Sequence, residues 1–150
     1  MIRKKFWASK IVASLLLTVV VGACSGYATC QTDGNPQPPK DITGTWSGTF
    51  YPKHKNVAPF TITVLIDRDS GGRLTGSANL DSDCLKGAKL EVTVTGSKVV
   101  LAGSDEEGDN ITVRGTVDQT GTLLKLTYIL NGSATGRCET VDGTGSLAKR

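Results

Sequence analysis

Few residues in this chain are of the types that do chemistry, and their spacing limits what that chemistry is. His54 is the single histidine, and it lies between Lys53 and Lys55. As a general base it would need a nucleophile within reach and a carboxylate to orient it. Its neighbours in sequence are lysines, so it reads as a solvated loop residue. Carboxylates gather in the run Asp105-Glu106-Glu107-Gly108-Asp109, with Asp81 and Asp83 upstream. Hard cations take oxygen ligands of this kind, but the run lacks the alternating acidic spacing of a calcium loop. A solvated hairpin tip is the plainer reading, and calcium would need Asp81 and Asp83 to join across a mouth. Zinc needs clusters of histidine, cysteine or carboxylate, and one histidine does not make one. Glycoside hydrolysis needs a carboxylate pair in a saccharide cleft. The aromatics after Tyr27 are Trp46, Phe50, Tyr51, Phe60 and Tyr128, which form no sugar platform. No catalytic residue, metal or cofactor is expected.

The N-terminus carries its own chemistry. The first ten residues hold four positive charges and no acid, and an apolar run from Ile11 to Val21 follows. That run is shorter than the ~20 residues a spanning helix needs, so residues 1–23 read as a cleaved signal peptide. It ends in Val21-Gly22-Ala23-Cys24, which resembles the lipobox of bacterial lipoproteins. The resemblance implies that the Cys24 thiol receives a diacylglycerol and becomes the first residue of the mature chain. Cleavage a few residues later, after Ala28, is the alternative. Ser25 follows the cysteine where an aspartate would resemble an inner-membrane retention signal, so an outer-membrane location is implied for an organism with two membranes.

The whole sequence has 17 basic and 14 acidic residues, a formal charge of +3. Removing residues 1–23 takes away Arg3, Lys4, Lys5 and Lys10 and no acid, leaving 13 basic and 14 acidic side chains. A net charge near −1 offers no electrostatic argument for nucleic acid or for an anionic membrane surface. Residues 24–41, rich in proline, glycine and polar side chains after the cysteine, read as a flexible tether. The remaining residues, 42–150, suffice for one domain with a real core.

From Ile42 onward, Thr, Val, Ile, Leu and Gly dominate, and short apolar/polar alternations are bounded by Gly, Asp, Asn and Ser. This is the pattern of half-buried strands. Eight are expected, at about 44–51, 59–67, 73–80, 89–95, 98–103, 110–117, 123–130 and 143–148. Leu90, Val92 and Val94 share one face, as do Leu124, Leu126, Tyr128 and Leu130. Eight sequential strands predict an all-β, antiparallel up-and-down barrel, which removes sheet edges by closure; a β-sandwich is the alternative. Trp46 is expected to plug the barrel floor.

Ile42-Thr43-Gly44-Thr45-Trp46 looks like the opening strand of avidin-like barrels, and its Gly-x-Trp also resembles lipocalins. Gly72-Arg73-Leu74-Thr75-Gly76-Ser77 resembles the hairpin that follows in avidins. Avidins grip biotin with several tryptophans and a polar first loop. Here Trp46 is the only tryptophan after the signal, and Ser47-Gly48 replaces that loop, so biotin binding is not expected. The full pattern, G-T-W-S-G-T-F, then L-T-G-S-A, a loop cysteine and a late cysteine before G-T-G-S-L, is similar to uncharacterised bacterial lipoproteins of the G-T-W-S-G type. That similarity implies a fold and no assigned activity.

In an up-and-down barrel alternate loops share a rim. The short turns 2–3, 4–5 and 6–7 fall at one end, and the longer loops 1–2, 3–4, 5–6 and 7–8 at the other, where binding surface gathers. Cys84 and Cys138 both fall on the long-loop rim, in loops on opposite sides of the ring. In an exported protein they are expected to pair, drawing two loops over the mouth and capping the barrel; Cys30 is left over. The candidate binding rim comprises His54, Asp81, Asp83, Asp105, Glu106, Glu107 and Asp109. The expected function is that of a monomeric, lipid-anchored cell-envelope protein that binds a protein partner through this rim, in an inhibitor-like manner. The alternative is a lipocalin-type binder of a small apolar ligand. Neither nucleic acid binding nor enzyme activity is expected.

Overall fold

The computed structural model describes residues 40–82 and 84–150; the expected signal peptide, Cys24, Cys30, the expected tether up to residue 39 and Asp83 lie outside the described residues. Eight strands follow one another: β1 Gly44–Pro52, β2 Phe60–Arg68, β3 Leu74–Leu80, β4 Ala88–Thr95, β5 Lys98–Ser104, β6 Asn110–Val117, β7 Leu123–Asn131 and β8 Val141–Lys149. Each pairs antiparallel with the next, and β8 returns to β1, so the sheet closes as an up-and-down barrel. The expected sandwich alternative is thereby excluded. The expected strand bounds hold to within a residue or two, because period-2 alternation marks strand interiors sharply and strand ends only loosely.

Alternation sends one face of every strand inward. Ile62, Val64 and Ile66 of β2, Ile111 and Val113 of β6, and Leu124, Leu126, Tyr128 and Leu130 of β7 are all buried, while their sequence neighbours face outward. The side chains of these strands fill the interior, as expected of a barrel of eight strands. Trp46 is 1 % exposed and lies at the short-turn end, where its Nε1 donates to the carbonyl of Ile42 at 2.8 Å. It plugs the floor.

β8 departs from the pattern. Its inward positions Gly143 and Gly145 carry no side chain, and rings from the two neighbouring strands take their place. Tyr128 pairs across from Gly143, and Phe50 from Gly145. A Cβ on Gly143 would lie 2.8 Å from the Tyr128 ring, and one on Gly145 2.7 Å from the Phe50 ring. Phe50 and Tyr128 stack with centroids 4.6 Å apart, and Phe60 meets Tyr128 edge-on at 5.6 Å. Aromatic rings laid over strand glycines supply the packing that the glycines lack.

Lys40 and Asp41, assigned to the tether from composition, are held by the barrel. Lys40 Nζ donates to the Asp118 carbonyl at 2.5 Å, and the Asp41 carbonyl accepts from Lys149 Nζ of β8 at 3.4 Å. The chain therefore enters the barrel at the short-turn end.

Candidate functional site

The long-loop end is fastened rather than open. Cys84 in loop 3–4 and Cys138 in loop 7–8 are joined by a disulfide, their Cα atoms 4.7 Å apart. The strap crosses the ring as the strand order required. Beside it Leu85, completely buried, turns down into the barrel, and its carbonyl accepts the Leu80 N–H at 3.0 Å. The mouth is thus closed by a loop side chain, which sequence reasoning did not single out. The available signal was an apolar residue next to a cysteine in an otherwise polar loop.

A second fastening runs from loop 5–6 to loop 7–8. Asp109 is fully buried. Its Oδ1 accepts the Ser133 N–H at 2.7 Å, and its Oδ2 accepts those of Arg137 at 2.8 Å and Cys138 at 3.2 Å. Burial pushes its pKa up, but the three backbone donors outweigh burial and hold the carboxyl below its ordinary value. Asp109 therefore departs from the solvated hairpin tip expected of the acidic run: it is turned inward and organises the neighbouring loop. Asp105 shapes the same tip, its Oδ1 accepting the N–H groups of Glu107 and Asp109, each at 3.0 Å. The Glu107 carbonyl takes the hydroxyls of Ser133 at 2.7 Å and Thr135 at 3.0 Å. Its carboxylate faces Arg137 at 3.7 Å.

The strap divides the mouth. On the side of loop 1–2 lies an apolar cleft of about 470 Å³. Val57, Phe60, Leu80, Leu130 and Val141 line it, with Cys84 of the disulfide forming one wall. Asp81, Arg137 and Glu139 stand at its edge. On the side of loop 5–6 lies a smaller, charged recess of about 260 Å³ bordered by Lys86, Asp105, Glu106, Glu107 and Arg137.

Of the rim residues expected from sequence, Asp81 borders the apolar cleft, where one carboxylate oxygen accepts the Thr61 N–H at 3.1 Å. Asp105, Glu106 and Glu107 border the charged recess, and Asp109 lies beneath it. His54 is exposed in loop 1–2, and Lys53 rather than His54 takes the nearby carboxylate of Asp142. Asp83 lies outside the described residues. Among the described residues no three His, Cys, Asp or Glu side chains converge as a metal site. Sequence reasoning missed Val57, Phe60, Arg137 and Glu139, which become neighbours only through closure of the ring and the strap.

Compared with protein-family models, curated proteins and solved structures, the chain matches none.

Proposed function

We propose that this chain is a lipid-anchored protein of the bacterial cell envelope that binds a protein partner through its long-loop rim, with the apolar cleft receiving an apolar side chain of that partner. The observation that carries this reading is the cleft itself: a concave apolar surface on a barrel whose interior is already filled. A filled barrel leaves the mouth as the place where recognition occurs. A disulfide and a buried carboxylate fix the loops around it in advance, so little ordering entropy is lost on binding. The anchor follows from the lipobox at Cys24. An outer-membrane location follows from Ser25 in an organism that has two membranes.

The test is site-specific photocrosslinking in the native envelope. A photoreactive residue at Val57 should give a discrete protein adduct, and the same residue at outward-facing Thr93, in the barrel wall, should not. Equal labelling at both positions would defeat the reading. Acyl-chain labelling that persists in Cys24→Ser would defeat the anchor.

The volume and lining of the cleft also suit a small apolar ligand, since binding pockets span roughly 300–1,000 Å³. Native mass spectrometry of the protein from envelope extract separates the two readings. A stoichiometric adduct of small-molecule mass, lost in Val57→Asp, favours the ligand.

A further inference from the structure

The near-zero charge of the mature chain conceals a segregation that only the fold reveals. At the short-turn pole, Arg68 and Arg73 flank loop 2–3, Lys98 opens β5, and Lys149 and Arg150 end the chain beside Lys40. Lys125, just inside β7, adds a seventh cation against four aspartates, Asp41, Asp67, Asp69 and Asp118. All four shape the backbone, and two also pair with cations of this pole, Asp69 with Arg73 at 2.8 Å and Asp41 with Arg68 at 3.8 Å. Asp41 accepts the N–H of Thr43, Asp67 that of Arg68, Asp69 those of Gly71 and Arg73, and Asp118 those of Thr122 and Leu123. The cations project outward, with Arg68, Arg73, Lys98, Lys125 and Arg150 exposed. The long-loop pole has the opposite balance, seven described carboxylates against five cations, Lys53, Lys55, Lys86, Lys89 and Arg137.

We propose that the short-turn pole docks on anionic lipid headgroups and holds the long-loop rim away from the bilayer. The inference rests on the lipid anchor of the proposed function, because the chain enters the barrel at Lys40, on this same pole. An anchor delivered to that end brings the basic face within reach of the surface. There its charges act before salt screens them over a Debye length of ~8 Å. The acidic pole is repelled, so attraction and repulsion orient the barrel in the same sense. The partner-binding cleft then faces the compartment rather than the lipid.

The experiment places the full chain in nanodiscs carrying a gadolinium-chelating lipid and reads backbone amide relaxation by NMR. In discs containing phosphatidylglycerol, the amides of Gly72, Lys98 and Thr120 should broaden several-fold more than those of His54, Gly87 and Thr135. High salt, pure phosphatidylcholine discs or the double variant Lys98→Glu/Lys125→Glu should each reduce that bias. A protein held on the discs whose two poles broaden equally, or whose bias ignores lipid charge, overturns the docking and leaves the anchor standing. A protein that does not stay on the discs overturns the anchor, and the docking with it.

Discussion

The carboxylate of Asp109 stands where a side chain on Gly136 would be: a Cβ there would lie 1.8 Å from Oδ1 and 2.2 Å from Cγ. Loop 7–8 can wrap the carboxylate and donate three N–H groups only because residue 136 has no side chain. Asp109→Ala leaves those part-buried donors without their acceptor, at no more than about 1–3 kcal/mol each before water reaches them. A net loss of about 3 kcal/mol is expected in urea unfolding. Gly136→Ala should cost a comparable amount by expelling the carboxylate. The double variant should fall well short of the sum, since both changes break one arrangement. Full additivity would show that the two residues act separately.

Acid should undo the turns before the core. Asp118 is held at about 2 by the Thr120 hydroxyl first and then by backbone N–H groups of its own loop. A folded-state pKa below the unfolded value near 3.8 means that its contribution is present above that value and lost as pH falls toward about 2. Asp41, Asp69, Asp109 and Asp142 are also lowered, so the same window holds several such losses. Stability should therefore decline steeply below about pH 4. The decline should be measurably shallower in Asp118→Asn, by denaturant titration across pH 2–5. An unchanged slope would remove Asp118 from the explanation.

Strand number, barrel closure and the pairing of Cys84 with Cys138 were legible because each rests on a local or topological rule. Alternation fixes which residues face inward, and chain order fixes which loops share a rim. Asp109 was not legible in its role. The sequence presents it as one acid in a run of four within five residues, and nothing local says which one turns inward. That depends on Gly136, 27 positions away. The cleft was hidden for the same reason: Val57, Phe60, Leu80, Leu130 and Val141 come from four separate stretches of chain. The charge segregation was hidden by summation, since a net charge discards position.

Breaking the strap should loosen the mouth more than the barrel. In the chain-entropy model a disulfide closing a loop of 54 residues is worth about 4 kcal/mol. Cys84→Ser/Cys138→Ser should lose less than that, because Asp109 still binds the Cys138 N–H and restrains loop 7–8. Hydrogen exchange should rise first in the bond from the Leu80 N–H to the Leu85 carbonyl, as Leu85 is released from the mouth. Exchange that rises uniformly over all eight strands would show that the strap supports the whole barrel rather than its lid.

The Tyr128 hydroxyl is a polar group that the fold tolerates rather than uses. The residue is 2 % exposed, and its hydroxyl has no hydrogen-bond partner among the described residues. Burial first, with the charge of Asp142 adding to it, pushes its pKa to about 12. Tyr128→Phe keeps the ring over Gly143 and the stack on Phe50 while deleting the unpaired group. It should be neutral or stabilising by about 1 kcal/mol. The pH dependence gives a sharper reading. In the unfolded chain the phenol ionises near its ordinary value of 10.0, and in the folded one only near 12. Between these values the unfolded state holds fewer protons, so stability falls as pH rises. Denaturant unfolding from pH 9 to 12 should show that fall in the parent protein and a flatter curve in Tyr128→Phe. A parallel fall in both would mean that the phenol ionises as readily in the folded chain as in the unfolded one, and that burial does not hold it neutral.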